Sequence, residues 1–108
     1  MTIKGGNYNV GADATGLGNS CIYVLKGNAV IDGGQFETAA MWNKRYWTLN
    51  CKNNSESTIT VNGGIIVGQN PAEPNTDDKA GAYSYVAAGK TATKLPQQIN
   101  GKDAWEVK

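Results

Sequence analysis

One short stretch of the chain concentrates side chains that could hold a ligand or a partner: Trp42, Arg45, Tyr46 and Trp47. Aromatic rings near asparagine and arginine side chains stack on sugar rings or anchor subunit interfaces. The competing interpretation is structural, with Trp47 pointing into the core and Tyr46 packing on a neighbouring residue. The sequence therefore offers a subunit interface, a glycan contact or plain packing for this stretch.

A loop rich in oxygen ligands is the second candidate, with Glu73, Asn75, Asp77 and Asp78 close together. Calcium prefers ligands of this kind. The EF-hand spacing is absent, however, and acidic loops bracketed by prolines are usually just solvated. We predict no metal and no cofactor, with a cation in the loop from Glu73 to Asp78 as the alternative.

Catalytic groups are scarce in this composition. Histidine is absent, which removes the commonest general base and the commonest metal ligand at neutral pH. Two carboxylates could carry out glycoside hydrolysis, but no pair is identifiable by its spacing. We therefore predict that the protein is not an enzyme, and we assign no catalytic residue.

The two cysteines, Cys21 and Cys51, lie 30 residues apart. Stacked on adjacent parallel strands about 4.8 Å apart, they would fall within the Cα separation that a disulfide tolerates. The alternative is two buried thiols that act as small apolar side chains. A zinc site is disfavoured because there is no histidine and no CxxC pair.

Size and charge narrow the possible partners. The 108 residues fit one domain, and the net charge of +1 gives no electrostatic case for nucleic acid or an anionic membrane. No apolar run approaches the roughly 20 residues that span a bilayer. The N-terminus enters a repeat at once, which leaves no room for a signal peptide. We expect a chain that is cytoplasmic when made, trimmed to its mature form, or part of a particle assembled inside a cell.

A six-residue motif recurs three times and predicts the strands and turns that position these side chains. It reads Ile-Lys-Gly-Gly-Asn-Tyr from residue 3, Ile-Asp-Gly-Gly-Gln-Phe from residue 31 and Val-Asn-Gly-Gly-Ile-Ile from residue 61. The period of 28 and then 30 residues is typical of one supersecondary unit stacked on copies of itself. The glycine pairs then mark structural corners: Gly5 and Gly6, Gly33 and Gly34, Gly63 and Gly64.

Strands flank each corner, and a further strand lies between corners. Runs of β-branched residues precede the glycine pairs, and short alternating runs follow them. The pattern predicts an all-β chain, a short right-handed parallel β-helix of two to three coils. A set of hairpins is the alternative, since Asp32-Gly33 and Asn62-Gly63 are hairpin-turn signals, but hairpins do not explain the period. Helical structure should be minor, at most one turn at Asn19-Ser20 or over residues 39–42.

Two registers compete for the middle strand. One aligns Cys21 with Cys51. The other aligns Ile22-Tyr23-Val24 with Leu49-Asn50-Cys51 and treats residues 52–57 as a polar insertion. We prefer the second, because a one-residue slip would turn a whole face inside out. This choice also weakens the case for a disulfide.

The chain changes character after Val67. We predict a single domain in which residues 1–68 form the coils and residues 69–108 form a polar loop and a C-terminal cap. A turn at Asn100-Gly101 leads to a final strand over residues 104–107, so the cap should contain a terminal hairpin. Tyr85 and Trp105 are the expected cap residues, since a solenoid must close its open end.

The repeated Ile-x-Gly-Gly-x-aromatic phrase resembles the right-handed parallel β-helix repeats of gut-bacterial surface proteins and their phages. The tail resembles the terminal segment of those proteins through Asn70-Pro71, Tyr85-Val86-Ala87-Ala88-Gly89 and Trp105-Glu106-Val107. The third repeat departs from the pattern, because Ile65-Ile66 replaces the usual Thr-Phe. The relatives also have many more coils.

The resemblance implies a structural or binding module without catalysis, such as a virion fibre or capsid-decoration component. Proteins of that kind are typically trimers, so we expect a homo-oligomer or a larger assembly. Exposed strand edges at the first coil also call for a partner. The alternative is a carbohydrate-binding module of a bacterial surface protein, using Trp42 to Trp47. Enzymatic β-helix families such as pectate lyases use clustered carboxylates with Ca²⁺ and a basic residue on a long groove, and this chain has too few coils for one.

Overall fold

The structure is a computed structural model that describes residues 1–53, 55–73 and 83–108. All the regular structure in these residues is β-strand, so the all-β prediction is confirmed. The one-turn helices considered at Asn19-Ser20 and over residues 39–42 do not form. The strands are β1 (Thr2–Ile3), β2 (Asn7–Val10), β3 (Ile22–Val24), β4 (Asn28–Ile31), β5 (Gln35–Thr38), β6 (Leu49–Cys51), β7 (Thr58–Val61), β8 (Gly64–Val67), β9 (Ala92–Lys94) and β10 (Ala104–Val107).

The strands form three open sheets. Their strand orders are β1-β4-β7, β2-β5-β8-β10-β9 and β3-β6. Strands that occupy equivalent places in successive repeats pair in parallel, as β1 does with β4 and β2 with β5. Each glycine pair therefore connects two different sheets. The hairpin interpretation of Asp32-Gly33 and Asn62-Gly63 is wrong, because the strands on either side of these turns do not pair with each other.

The middle strands adopt the preferred register. Ile22 lies opposite Leu49, and Val24 lies opposite Cys51. Val24, Leu49 and Cys51 are buried, while Tyr23 is exposed, as the alternation of side chains along a strand requires. Both cysteines are free thiols, with Cys51 buried and Cys21 partly buried, so the disulfide alternative is not realised.

The core lies between the three sheets and is built from side chains stacked one repeat apart. Ile31 pairs with Val61 and Phe36 with Ile66, and all four are fully buried. Burial of each such side chain contributes about 1.5–3 kcal/mol. Repeating the same buried positions in each repeat thus holds the sheets together.

The corners explain the repeated glycines. The second glycine of each pair, Gly6, Gly34 or Gly64, has φ between 106° and 108°, a region that side chains with a Cβ rarely adopt. The first glycine meets a different limit. A Cβ on Gly33 or on Gly63 would lie 2.6 Å from a carbonyl oxygen of the preceding corner. Successive corners are therefore in backbone contact, which only glycine permits.

The last repeat is covered by the tail. Strand β10 pairs antiparallel with β8 on one side and with β9 on the other, so the largest sheet is mixed. The predicted terminal hairpin and its strand over residues 104–107 are confirmed. Among the residues described, no helix is long and apolar enough to cross a membrane.

Candidate functional site

The stretch from Trp42 to Trp47 begins with a tight hairpin. The backbone N–H of Trp42 donates to the carbonyl of Arg45 at 2.9 Å, and the N–H of Arg45 donates back at 3.2 Å. Asn43 and Lys44 fill the turn with φ of 51° and 68°, the sign that two-residue hairpin loops of this type require. The turn fixes the backbone of Trp42, whose side chain is 47% exposed.

Trp47 packs against Trp42. The ring of Trp47 is buried, with 6% of the residue exposed. Its indole N–H donates to the Trp42 carbonyl at 2.7 Å, and the two ring centroids lie 6.1 Å apart in an edge-on arrangement. Trp47 is therefore a packing residue that holds Trp42 in place, and Trp42 is the ring that solvent or a ligand reaches.

Tyr46 is half-buried. It packs against Gly68, where an added Cβ would lie 2.9 Å from the Cβ of Tyr46. The ammonium of Lys102 lies 5.6 Å from the centre of the Tyr46 ring, within the range of a cation–π contact. Arg45 lies exposed on the hairpin. The four side chains that the sequence grouped together therefore differ in burial, with Trp42 and Arg45 exposed and Tyr46 and Trp47 more buried.

A recess of about 300 Å³ opens beside Trp42. Its lining is aromatic and polar, and consists of Tyr23, Trp42, Trp47, Asn50, Lys52 and Asn53. Tyr23 and Asn50 are paired neighbours on β3 and β6, so both side chains point out of the same sheet face. The sequence analysis did not include Tyr23, Asn50, Lys52 or Asn53 in the site. The preferred register could have indicated two of them, because it turns Tyr23 and Asn50 outward on the same face.

A second recess of about 290 Å³ adjoins the first. The two share Trp42, Trp47 and Asn50, and the second adds Asp13, Gly18, Asn19 and Ser20. The Asn50 side-chain amide donates to the Ser20 hydroxyl at 3.2 Å, which fixes the wall between the recesses. The N–H of Gly18 donates to the Met41 carbonyl at 2.9 Å and so ties this loop to the hairpin.

Asp13 is held as a carboxylate within its own loop. Its Oδ1 atom accepts hydrogen bonds from the Thr15 hydroxyl at 2.7 Å, the Thr15 N–H at 2.8 Å and the Leu17 N–H at 3.0 Å. These bonds, the one from the Thr15 side chain first, lower the pKa of Asp13 below its usual value. The second recess therefore carries a fixed negative charge at neutral pH, whereas Lys52 places a positive charge in the first.

The predicted cap residues lie at the covered end of the molecule. Tyr85 is buried and meets the Tyr83 ring edge-on, with centroids 5.2 Å apart. The Tyr85 carbonyl accepts from the N–H of Val61 on β7 at 2.7 Å. Trp105 is half-buried on β10 and lies opposite Ile66 of β8.

A buried ion pair fastens the terminal hairpin to strand β5. Lys102 donates to the carboxylate of Glu37 on β5 at 2.7 Å, and the two side chains are only 9% and 6% exposed. The Asn100 side-chain amide donates to the other Glu37 oxygen at 2.8 Å. We call these three residues the clasp. The clasp was not predicted from the sequence, because Glu37 lies more than 60 residues from Asn100 and Lys102.

Among the described ranges, no three His, Cys, Asp or Glu side chains lie close enough to hold a metal ion. Of the acidic loop, Glu73 is exposed, while Asn75, Asp77 and Asp78 lie outside the described residues. No family model, curated protein or solved structure matches this chain.

Proposed function

We propose that this chain is a non-catalytic structural module, a short right-handed parallel β-helix of two to three coils with a C-terminal cap. It assembles through the edge strands of its first repeat with copies of itself or with a larger particle. The particle that fits best is a virion, in which the chain would be a fibre or capsid-decoration component, or else a cell surface. The observation that carries the proposal is the difference between the two ends of the stack.

In the described residues, the first repeat has strands at the sheet edges and a partly exposed core position. Strands β1, β2 and β3 are the outermost strands of their sheets. The aromatic position of the repeat is 40% exposed at Tyr8, although its equivalents Phe36 and Ile66 are fully buried. Tyr8 stacks on Phe36 with ring centroids 5.1 Å apart, so its other face is the next place where a coil or a partner would pack.

Three separate sets of contacts cover the strands of the last repeat. Strand β10 covers β8. The segment from Tyr85 to Ala87 covers β7, where the Ala87 N–H donates to the Val61 carbonyl at 2.9 Å. At β6, the side chain of Gln69 accepts from the Leu49 N–H at 2.7 Å and donates to the Leu49 carbonyl at 3.0 Å, in place of a neighbouring strand. We therefore expect association at the open end, because unpaired strand edges favour pairing with another chain.

The backbone groups available for pairing can be named on β2. The Gly6 and Val10 carbonyls face β5, since they accept from Gln35 and Ala39 at 2.9 Å each. Because the direction of backbone groups alternates along a strand, the N–H groups of Asn7 and Asn9 face the open edge. Strand β9 also lies at a sheet edge, but it is short and carries Lys94, which discourages pairing.

Light scattering of the purified chain at high micromolar concentration tests the proposal. We expect a mass above the 11.4 kDa of one chain, with three times that value as the favoured result. Asn9→Pro should give a monomer, because proline removes an N–H from the open edge without removing a bond to β5. Lys94→Pro on the outer edge of β9 is the matched control and should still assemble. A monomeric wild-type chain would overturn the proposal.

A second candidate function, carbohydrate binding as a module of a bacterial surface protein, is favoured by the exposed ring of Trp42, which lines two adjoining recesses. Aromatic faces flanked by amide groups are a common means of holding sugar rings. A glycan array probed with the wild-type chain and with Trp42→Ala tests it. The absence of hits, or hits that Trp42→Ala leaves unchanged, would remove this candidate.

A further inference from the structure

The two adjoining recesses differ in charge, and this difference specifies a ligand. We propose that they form a binding site for an acidic oligosaccharide, with a carboxylate-bearing sugar unit beside Lys52 and a neutral unit beside Asp13. This inference rests on the carbohydrate-binding candidate above and makes its ligand class specific.

The dimensions fit at least two sugar units. The recesses measure about 300 Å³ and about 290 Å³, each near the lower limit of about 300 Å³ for small-ligand sites. They meet at Trp42, Trp47 and Asn50, so a linear ligand can occupy both while it passes over the Trp42 ring.

The aromatic surface is already ordered before a ligand arrives. Trp42 is held by its backbone pair with Arg45 and by the Trp47 ring. Tyr23, which is 51% exposed on β3, also lines the first recess. Binding to rigid aromatic groups loses little conformational entropy, and the apolar face of a pyranose ring covers such a surface.

The charges of the two recesses determine which sugar unit binds in each. Lys52 is the charged side chain that lines the first recess, and no carboxylate from the described part of the chain joins it there. The Lys52 N–H donates to the Val24 carbonyl at 2.9 Å, which anchors its backbone at the end of β6. In the second recess, ionised Asp13 repels an anionic group. Selection by attraction at one subsite and repulsion at the other gives a defined orientation.

Carboxylated sugars come from two sources, uronic-acid polysaccharides and sialylated chains. Isothermal titration calorimetry with aldotriouronic acid, which carries one glucuronic acid on a neutral xylobiose, and with 3′-sialyllactose distinguishes them, and xylotriose and lactose serve as the neutral probes. We expect at least one acidic probe to bind about tenfold or more tightly than its neutral counterpart, as a charge-assisted hydrogen bond implies. Trp42→Ala should abolish the binding of every probe.

Lys52→Gln is the decisive variant, because Lys52 is exposed and the substitution removes only its charge. It should reduce the affinity for the acidic probe to that for the neutral one. Lys90→Gln, an exposed lysine that lines neither recess, is the control and should bind like the wild type. Equal affinity for acidic and neutral probes, lost in Trp42→Ala, would overturn the acidic ligand while leaving sugar binding in place. No binding by any probe would overturn both.

Discussion

The clasp between the terminal hairpin and β5 gives the sharpest prediction for stability. Lys102→Met keeps most of the apolar stem of the side chain and removes its ammonium group. The Glu37 carboxylate then loses the partner at 2.7 Å and retains the Asn100 amide at 2.8 Å. Because the Glu37 side chain is 6% exposed, water cannot replace the lost partner.

The expected cost follows from this burial. Breaking a buried ion pair by removing one partner costs about 3–5 kcal/mol, because the remaining charge is left without compensation. A domain of this size has a free energy of unfolding of about 5–15 kcal/mol, so the substitution should remove a large fraction of it. The exposed pair between Lys94 and Asp103, at 3.3 Å, should contribute far less, because solvent screens its charges.

Urea unfolding followed by tryptophan fluorescence measures both effects. Lys94→Met is the matched control, since it deletes the same group from the neighbouring ion pair of the same hairpin. Replacing Glu37 and Lys102 together by methionine should recover most of the loss, because no unpaired charge is then buried. If Lys102→Met lowers the free energy of unfolding no more than Lys94→Met does, the clasp does not fasten the cap, and our reasoning fails.

Three further predictions concern the corners, the braced strand and the thiols. Gly63→Ala should destabilise the protein by about 1–3 kcal/mol in the same urea assay, because its Cβ would meet a carbonyl oxygen at 2.6 Å, whereas Gly5→Ala has open space and should have a smaller effect. Gln69→Leu should cost about 2 kcal/mol or more by thermal or urea unfolding, since it leaves two buried main-chain groups of β6 unpaired; a neutral result would show that water satisfies them. Burial raises the pKa of the Cys21 thiol, so iodoacetamide at pH 8 should alkylate it more slowly than in the unfolded chain. The fully buried Cys51 should react only on unfolding, and rapid labelling of Cys51 in the native protein would contradict the packing described.

Much of the strand framework was predictable because it is periodic. The in-and-out alternation of Ile22, Tyr23 and Val24 matched that of Leu49, Asn50 and Cys51, and this match selected the correct register. The Asn100-Gly101 turn signal likewise located the terminal hairpin. In both cases a local rule, side-chain alternation or turn geometry, acts within a few residues and leaves a trace in the sequence.

The features that were missed depend on where loops bring distant residues together. Glu37 lies on β5 between an apolar residue, Phe36, and a polar one, Thr38. No neighbouring residue in the sequence indicates that Lys102 pairs with it. Tyr46 packs against Gly68 and is not among the residues that line the two recesses. Tyr23 and Lys52 reach the recess only through the pairing of β3 with β6. Contacts of this kind have no period, so a single sequence does not reveal them.

Amide hydrogen exchange at Asn7 and Asn9 tests the central claim, that the open end of the stack is an assembly surface. These two N–H groups face away from β5, so in an isolated chain they should exchange as fast as those of an exposed edge. At high micromolar concentration we expect strong protection at both amides, which should be lost on dilution together with the drop in mass. Fast exchange at both amides at every concentration would contradict the account, because the edge would then be permanently uncovered.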